Sequence, residues 1–132
     1  MSRNPPDEIA RFTVRIDRDD VARFAAATGY DSPLGPFAPP TYPIRLLANS
    51  PAADHLQALA VTEGGAPVHV SQSFDYARRL RIEEEIEGRI LSRFEGEGAR
   101  RQAILVLELL DADGQGIGRM ESRFVFARGR PE

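Results

Sequence analysis

Residues 82–110 read IEEEIEGRILSRFEGEGARRQAILVLELL. Ile82, Ile86, Ile90 and Phe94 take even positions, and Glu83, Glu85, Glu87, Arg89 and Arg93 take odd ones. A period of two marks a half-buried strand, with the acidic positions as its wet face. Glu95-Gly-Glu-Gly98 then breaks the pattern with the residues of a hairpin turn. The run from Ala103 to Leu110 is apolar on both faces, which predicts a central, covered strand. This pair, joined by a short turn, commits the second half of the chain to an antiparallel sheet.

Downstream, Asp111-Ala-Asp-Gly114 reads as another turn, and Met120, Phe124 and Phe126 line a final strand. Upstream, Val68, Val70, Phe74 and Tyr76 share one face of an earlier strand, with His69 in the opposite phase. Short loops predict these four strands as antiparallel neighbours. Before Gly64-Gly65 the period is helical. Ser50-Pro51 is a start signal for a helix over 51–59, a capping serine followed by proline. Thr41 can cap the helix before it, which carries Ile44, Leu46 and Leu47. Residues 30–40 hold four prolines and must be a loop. Asp17 caps a first helix over 18–28, with Asp20 as a box-like partner and Gly29 as its stop. Residues 11–16 alternate as a short strand. The expected fold is α+β, a curved antiparallel sheet of about five strands wrapped around a central helix. Residues 1–8 are expected as a flexible tail, 9–129 as one domain, and 130–132 as a second tail.

Composition excludes several chemistries. All 17 basic residues among the 132 are arginine, there is no cysteine, and His55 and His69 are the two histidines. Disulfides, cysteine nucleophiles, thiolate zinc sites, Schiff bases and a P-loop lysine are therefore ruled out. A three-histidine metal site within one chain is impossible, and no metal or cofactor is expected. A net charge of −3 with interspersed signs has no nucleic-acid footprint. No apolar run approaches the ~20 residues of a membrane span, and the polar start does not read as a signal peptide. The expectation is a cytoplasmic protein.

Three motifs carry a resemblance. Phe24-Ala-Ala-Ala-Thr-Gly29 followed by Asp31-Ser-Pro33 resembles the opening helix and loop of MaoC-like dehydratases and hydratases. Ala38-Pro-Pro-Thr-Tyr42 resembles the start of the central helix in their FAS1-like N-terminal dehydratase branch. Val70-Ser-Gln-Ser-Phe-Asp-Tyr76 with Arg79-Leu-Arg81 resembles the strand and turn that follow. The likeness spans about residues 11–128. It implies a hot-dog fold and a protein that binds acyl thioesters of CoA or acyl carrier protein. It also implies hydro-lyase chemistry, hydrating an enoyl group or dehydrating a 3-hydroxyacyl group. The implied assembly is a homodimer, or a heterodimer with another hot-dog chain.

That chemistry needs donors for the thioester oxygen and an acid/base pair. The N–H groups of Thr41 and Tyr42 at a helix start are candidate donors, or plain caps. Family members carry an aspartate after the glycine and a histidine two residues past the proline. Here Tyr30 takes the aspartate position, Asp31 falls one step late, and Gly35 takes the histidine position. Asp31 is a catalytic candidate or a turn former. His69 is a second catalytic candidate or a structural strand histidine, and His55 is expected to be solvated. Tyr30 and Tyr42 are substrate-binding candidates or core-edge residues. Arg78, Arg79 and Arg81 are phosphate-contact candidates or a solvated turn. Three functions stay open: a binding subunit without turnover, a stand-alone enoyl-thioester hydratase using Asp31, and a hot-dog thioesterase or module for a non-acyl ligand.

Overall fold

The structure, a computed structural model, describes residues 7–128. The elements run β1 (Asp7–Arg15), α1 (Arg18–Thr28), α2 (Pro43–Ala48), α3 (Ala52–Glu63), β2 (Gly65–Tyr76), β3 (Glu85–Glu95), a short 3-10 turn (Gly98–Arg100), β4 (Gln102–Leu110) and β5 (Gly116–Arg128). Asp7 and Glu8, expected in the first tail, are already strand. Residues 1–6 and 129–132, which hold the rest of both tails, lie outside the described residues.

All strands form one antiparallel sheet in the order β1-β3-β4-β5-β2. The β3–β4 and β4–β5 hairpins fall where the turn residues predict. The expected β2–β3 pairing does not form, because β2 lies on the far edge against β5. Residues 77–84 carry the chain across instead, so this connection is no hairpin. Five strands spaced ~4.8 Å apart set the edges about 19 Å from each other. Helix α3 nevertheless touches both edge strands, β1 and β2, and a helix is only ~10 Å across. The sheet curls around α3, which meets both edge strands and the interior strand β5; this is the hot-dog arrangement.

The inner face is apolar, with Ile86 and Ile90 of β3, Leu105, Leu107 and Leu109 of β4, and Met120 of β5 all at 1% exposure or less. The outer face carries linked ion pairs: Arg89 joins Glu8 and Glu108, and Arg123 joins Glu95 and Glu121. Ile104 and Val106 point outward yet are buried. Ile104 sits in register between Arg93 and Arg123, whose aliphatic stems can cover it while their heads reach water. Strand β4 is thus covered on both faces, as its composition predicts.

The helical starts are partly as read. Asp17 Oδ2 accepts from the Asp20 N–H at 3.0 Å, and Gly29 closes α1 in the left-handed region at φ 74°. Ser50 Oγ accepts from the Ala52 N–H at 3.1 Å, but it stands one residue before the cap, which is Pro51, and α3 runs from Ala52 past residue 59 to Glu63. Thr41 does not cap α2. Tyr42 stands at that position, with no side-chain cap. The preceding turn is closed by the Tyr42 N–H donating to Pro39 O at 2.9 Å.

Candidate functional site

Helices α2 and α3 lie over the β2–β5 side of the sheet and leave an apolar cleft of about 210 Å³. Leu47, Ala52 and Leu56 form its helical wall, and Leu105, Met120 and Phe124 form its floor. Three polar side chains join them: His69, Gln72 and Ser122. Their arrival follows from the register. Ser122 pairs with Gln72 and Leu105, and Phe124 pairs with His69 and Ala103, so these positions share the face toward the helices.

That placement corrects the strict alternation read for β2. The register shifts between His69 and Ser71, the mark of a β-bulge, which inserts one residue and reverses the phase beyond it. His69 therefore shares the inner face with Gln72, Phe74 and Tyr76. Val68 and Val70 are 44% and 47% exposed. The His69 ring stacks on Phe124 with centroids 4.9 Å apart. Ser122 Oγ donates to Gln72 Oε1 at 3.0 Å.

The remaining candidates separate. Asp31 is exposed in the loop after α1 and does not line the cleft that His69 enters. Gly35, which the resemblance aligns with a histidine, adopts φ 56°, which favours glycine over any branched side chain. Tyr30 is partly buried, and its N–H donates to Ala25 O at the α1 cap. Thr41 is exposed. Tyr42 is a core residue, 2% exposed. Its hydroxyl donates to Asp20 Oδ2 at 2.5 Å, and its ring meets Phe24 edge-on at 5.4 Å. Arg45 holds the other Asp20 oxygen at 3.1 Å. Burial works to raise the Asp20 pKa, but hydrogen bonds from Tyr42 and Arg45 outweigh it and hold the carboxyl below its usual range. Burial and the Asp20 hydrogen bond push the Tyr42 phenol above its usual range. Tyr42 also spends its N–H on Pro39, so it has no donor left for a thioester oxygen.

The arginine cluster works as a latch. Arg78 grips Glu84 at 2.7 and 3.0 Å, and the Arg81 N–H donates to the same carboxylate at 2.6 Å. Arg79 donates to Ala38 O at 2.9 Å and lies over the Phe37 ring. Backbone bonds Ala38 N–H to Leu80 O and Ile82 N–H to Pro36 O zip the proline-rich loop onto this turn. The Tyr76 hydroxyl donates to Pro40 O, and burial pushes its pKa up to about 12.

His55 is not solvated. It sits on α3, partly buried on the side toward the sheet and 3.0 Å from Ser92 Oγ, and burial lowers its pKa against the opposing pull of Asp7. The signal was present in the spacing: His55 falls three positions after the buried Ala52, on the same helix face, and Ser92 shares the inner phase of Ile86 and Ile90.

No family model and no curated protein sequence matches this chain. Solved structures do. The C-terminally truncated HadBC (3R-hydroxyacyl-ACP dehydratase) complex of Mycobacterium tuberculosis aligns with TM-score 0.72 at 18% identity, covering 93% of this chain and 96% of that one. The (R)-hydratase from A. caviae involved in PHA biosynthesis aligns with TM-score 0.59 at 17% identity over 96% and 98%. HtdX of M. tuberculosis aligns with TM-score 0.68 at 18% identity, covering 94% of this chain and 52% of its own.

Proposed function

Starting from a chain with the hot-dog fold, we propose that it binds acyl thioesters of CoA or of acyl carrier protein and serves as the non-catalytic half of a paired hot-dog assembly. The observation that carries this reading is the apolar cleft between α2–α3 and the β2–β5 floor, with the exposed Asp31 outside it; the resemblance, in turn, implies a histidine where this chain has Gly35. A cleft of hydrocarbon walls and a few polar groups suits an acyl chain. The loop that would supply the proton-transfer pair is latched by Arg79 and Tyr76, and between residues 30 and 40 it contains no histidine.

The pairing half of the proposal rests on β2. It is an edge strand, and Val68 and Val70 are exposed on it. An open strand edge of this kind invites a second strand. Sheet-to-sheet pairing along β2, with a second copy or with another hot-dog chain, covers both the edge and the side of the cleft.

The test is calorimetric titration of crotonyl-CoA and decanoyl-CoA, run beside a hydration assay on crotonyl-CoA. Binding without turnover is expected, with turnover appearing when a catalytic hot-dog chain is supplied. Turnover by the purified chain that collapses in Asp31→Asn overturns the non-catalytic role and identifies Asp31 as the acid/base of a stand-alone hydratase. Failure to bind either thioester removes the acyl reading altogether.

A further inference from the structure

Among the walls of the cleft, the Gln72–Ser122 pair is the polar exception. Ser122 is 1% exposed, and its hydroxyl is committed to Gln72 Oε1. Gln72 Nε2 is shut off from solvent and makes no hydrogen bond among the described residues. A shielded amide N–H without an acceptor is costly. No side chain lining the cleft accepts from it among the described residues. Reversing the amide exchanges which end is left over and does not remove the need for a partner.

We propose that Gln72 Nε2, uncovered when a ligand parts the side chains around it, is the recognition donor of this cleft, and that its ligand is an apolar chain bearing an acceptor oxygen. The inference rests on the acyl-thioester reading above and sharpens it. On an acyl thioester the oxygen is the thioester carbonyl or a substituent on the third carbon, and both present the same acceptor chemistry. A site built around one shielded donor discriminates strongly against an analogue that lacks the acceptor, because the donor is then left unpaired. The hydrocarbon walls hold chains by area alone and discriminate weakly. Gln72 is therefore the specificity-determining residue, and Ser122 positions it by fixing Oε1.

Three ligands test this by titration: decanoyl-CoA, 3-oxodecanoyl-CoA and the thioether S-decyl-CoA, which lacks the carbonyl. Gln72→Leu is compared with the native protein. Gln72→Leu with Ser122→Ala is the second variant, because it leaves no lone hydroxyl in the wall. An oxygenated ligand is expected to weaken about tenfold, equivalent to about 1.4 kcal/mol, while S-decyl-CoA stays within about twofold. Loss for both acyl ligands assigns the thioester carbonyl, and loss confined to the 3-oxo ligand assigns the oxygen on the third carbon. Equal loss for all three ligands, or for none, overturns the proposal. The Gln72 side-chain amide resonances, identified by their disappearance in the leucine variant, give an independent readout. If no CoA ligand binds, the thioester reading fails, and 2-nonanone against 1-nonene still decides the donor role. A shift with the ketone alone upholds it, and no shift with either overturns it. Amide shifts that follow protein concentration in place of ligand assign the cleft to a second copy and also overturn it.

Discussion

Replacing Tyr42 with phenylalanine removes one hydroxyl from a buried ring and leaves the ring in place. The lost contact is the 2.5 Å hydrogen bond to Asp20 Oδ2, a bond to a charged acceptor, worth about 1.5–3 kcal/mol. Arg45 still holds Oδ1, so the carboxylate is not stranded and the lower half of that range applies, about 1.5–2 kcal/mol. An unfolding entropy of about 2.1 cal/mol/K per residue gives roughly 0.28 kcal/mol/K for 132 residues. The melting temperature should then fall by about 5–7 °C, read by circular dichroism at fixed protein concentration. A double-mutant cycle with Asp20→Asn isolates the pair and should return a coupling near 1 kcal/mol or above. The sign with pH follows from the shifts. The raised phenol contributes stability that is complete below pH 10 and is lost only in strong alkali. The lowered Asp20 carboxyl contributes stability present above its ordinary value of 3.8 and lost as pH falls through the folded value. A Tyr42→Phe shift under about 1 °C, or additive single mutants, refutes the role of this bond in joining α1 to α2.

Gly88 stands opposite Phe12 in the β1–β3 register, and a Cβ there would run into the ring, with Cε1 at 2.7 Å. Gly88→Ala should cost about 1–3 kcal/mol in denaturant unfolding, and Phe12→Leu in the same chain should recover part of it. The lowered His55 pKa adds stability above about pH 6.5 that drains away as pH falls toward the folded value. Unfolding midpoints should therefore decline from pH 7 to pH 5 and flatten in His55→Gln. Sedimentation should find at least a dimer, and Val70→Asp should weaken it; a native monomer at tens of micromolar rejects pairing along β2.

Strands β3 and β4 were legible because their side chains obey one period without interruption and Gly-containing turns bound them. The same logic failed in β2 because a bulge costs no residue of unusual type. Val70 looks like any strand valine, yet its insertion moves His69 to the inner face and brings Gln72 beside Ser122. Strand order was hidden for a related reason. Residues 77–84 are short enough for a hairpin, and only the Arg78–Glu84 pair and the zipper to residues 36–38 reveal a crossing. At the loop, the absence of a histidine was plain from the residues themselves. The partners of Tyr42 are hidden in the sequence, because Asp20 and Arg45 lie 22 positions before it and three after it, and no local pattern joins them. His55 reads as wet in the sequence because it stands beside Asp54 on a helix, and only the sheet brings Ser92 against it.

The two rims of the sheet are unlike. At β1 the ladder shifts between Glu8 and Ala10, and Glu8 and Arg11 stud the rim with paired charge. A bulge and charged side chains are the means by which strand edges refuse further partners. At β2 the rim is long and carries exposed valines. Growth by strand addition can therefore begin at one rim and has nowhere to continue at the other. An isologous contact of that sort closes at two subunits and cannot extend into a fibre. In the pairing proposed along β2, the irregular first strand would leave assembly no second rim from which to continue.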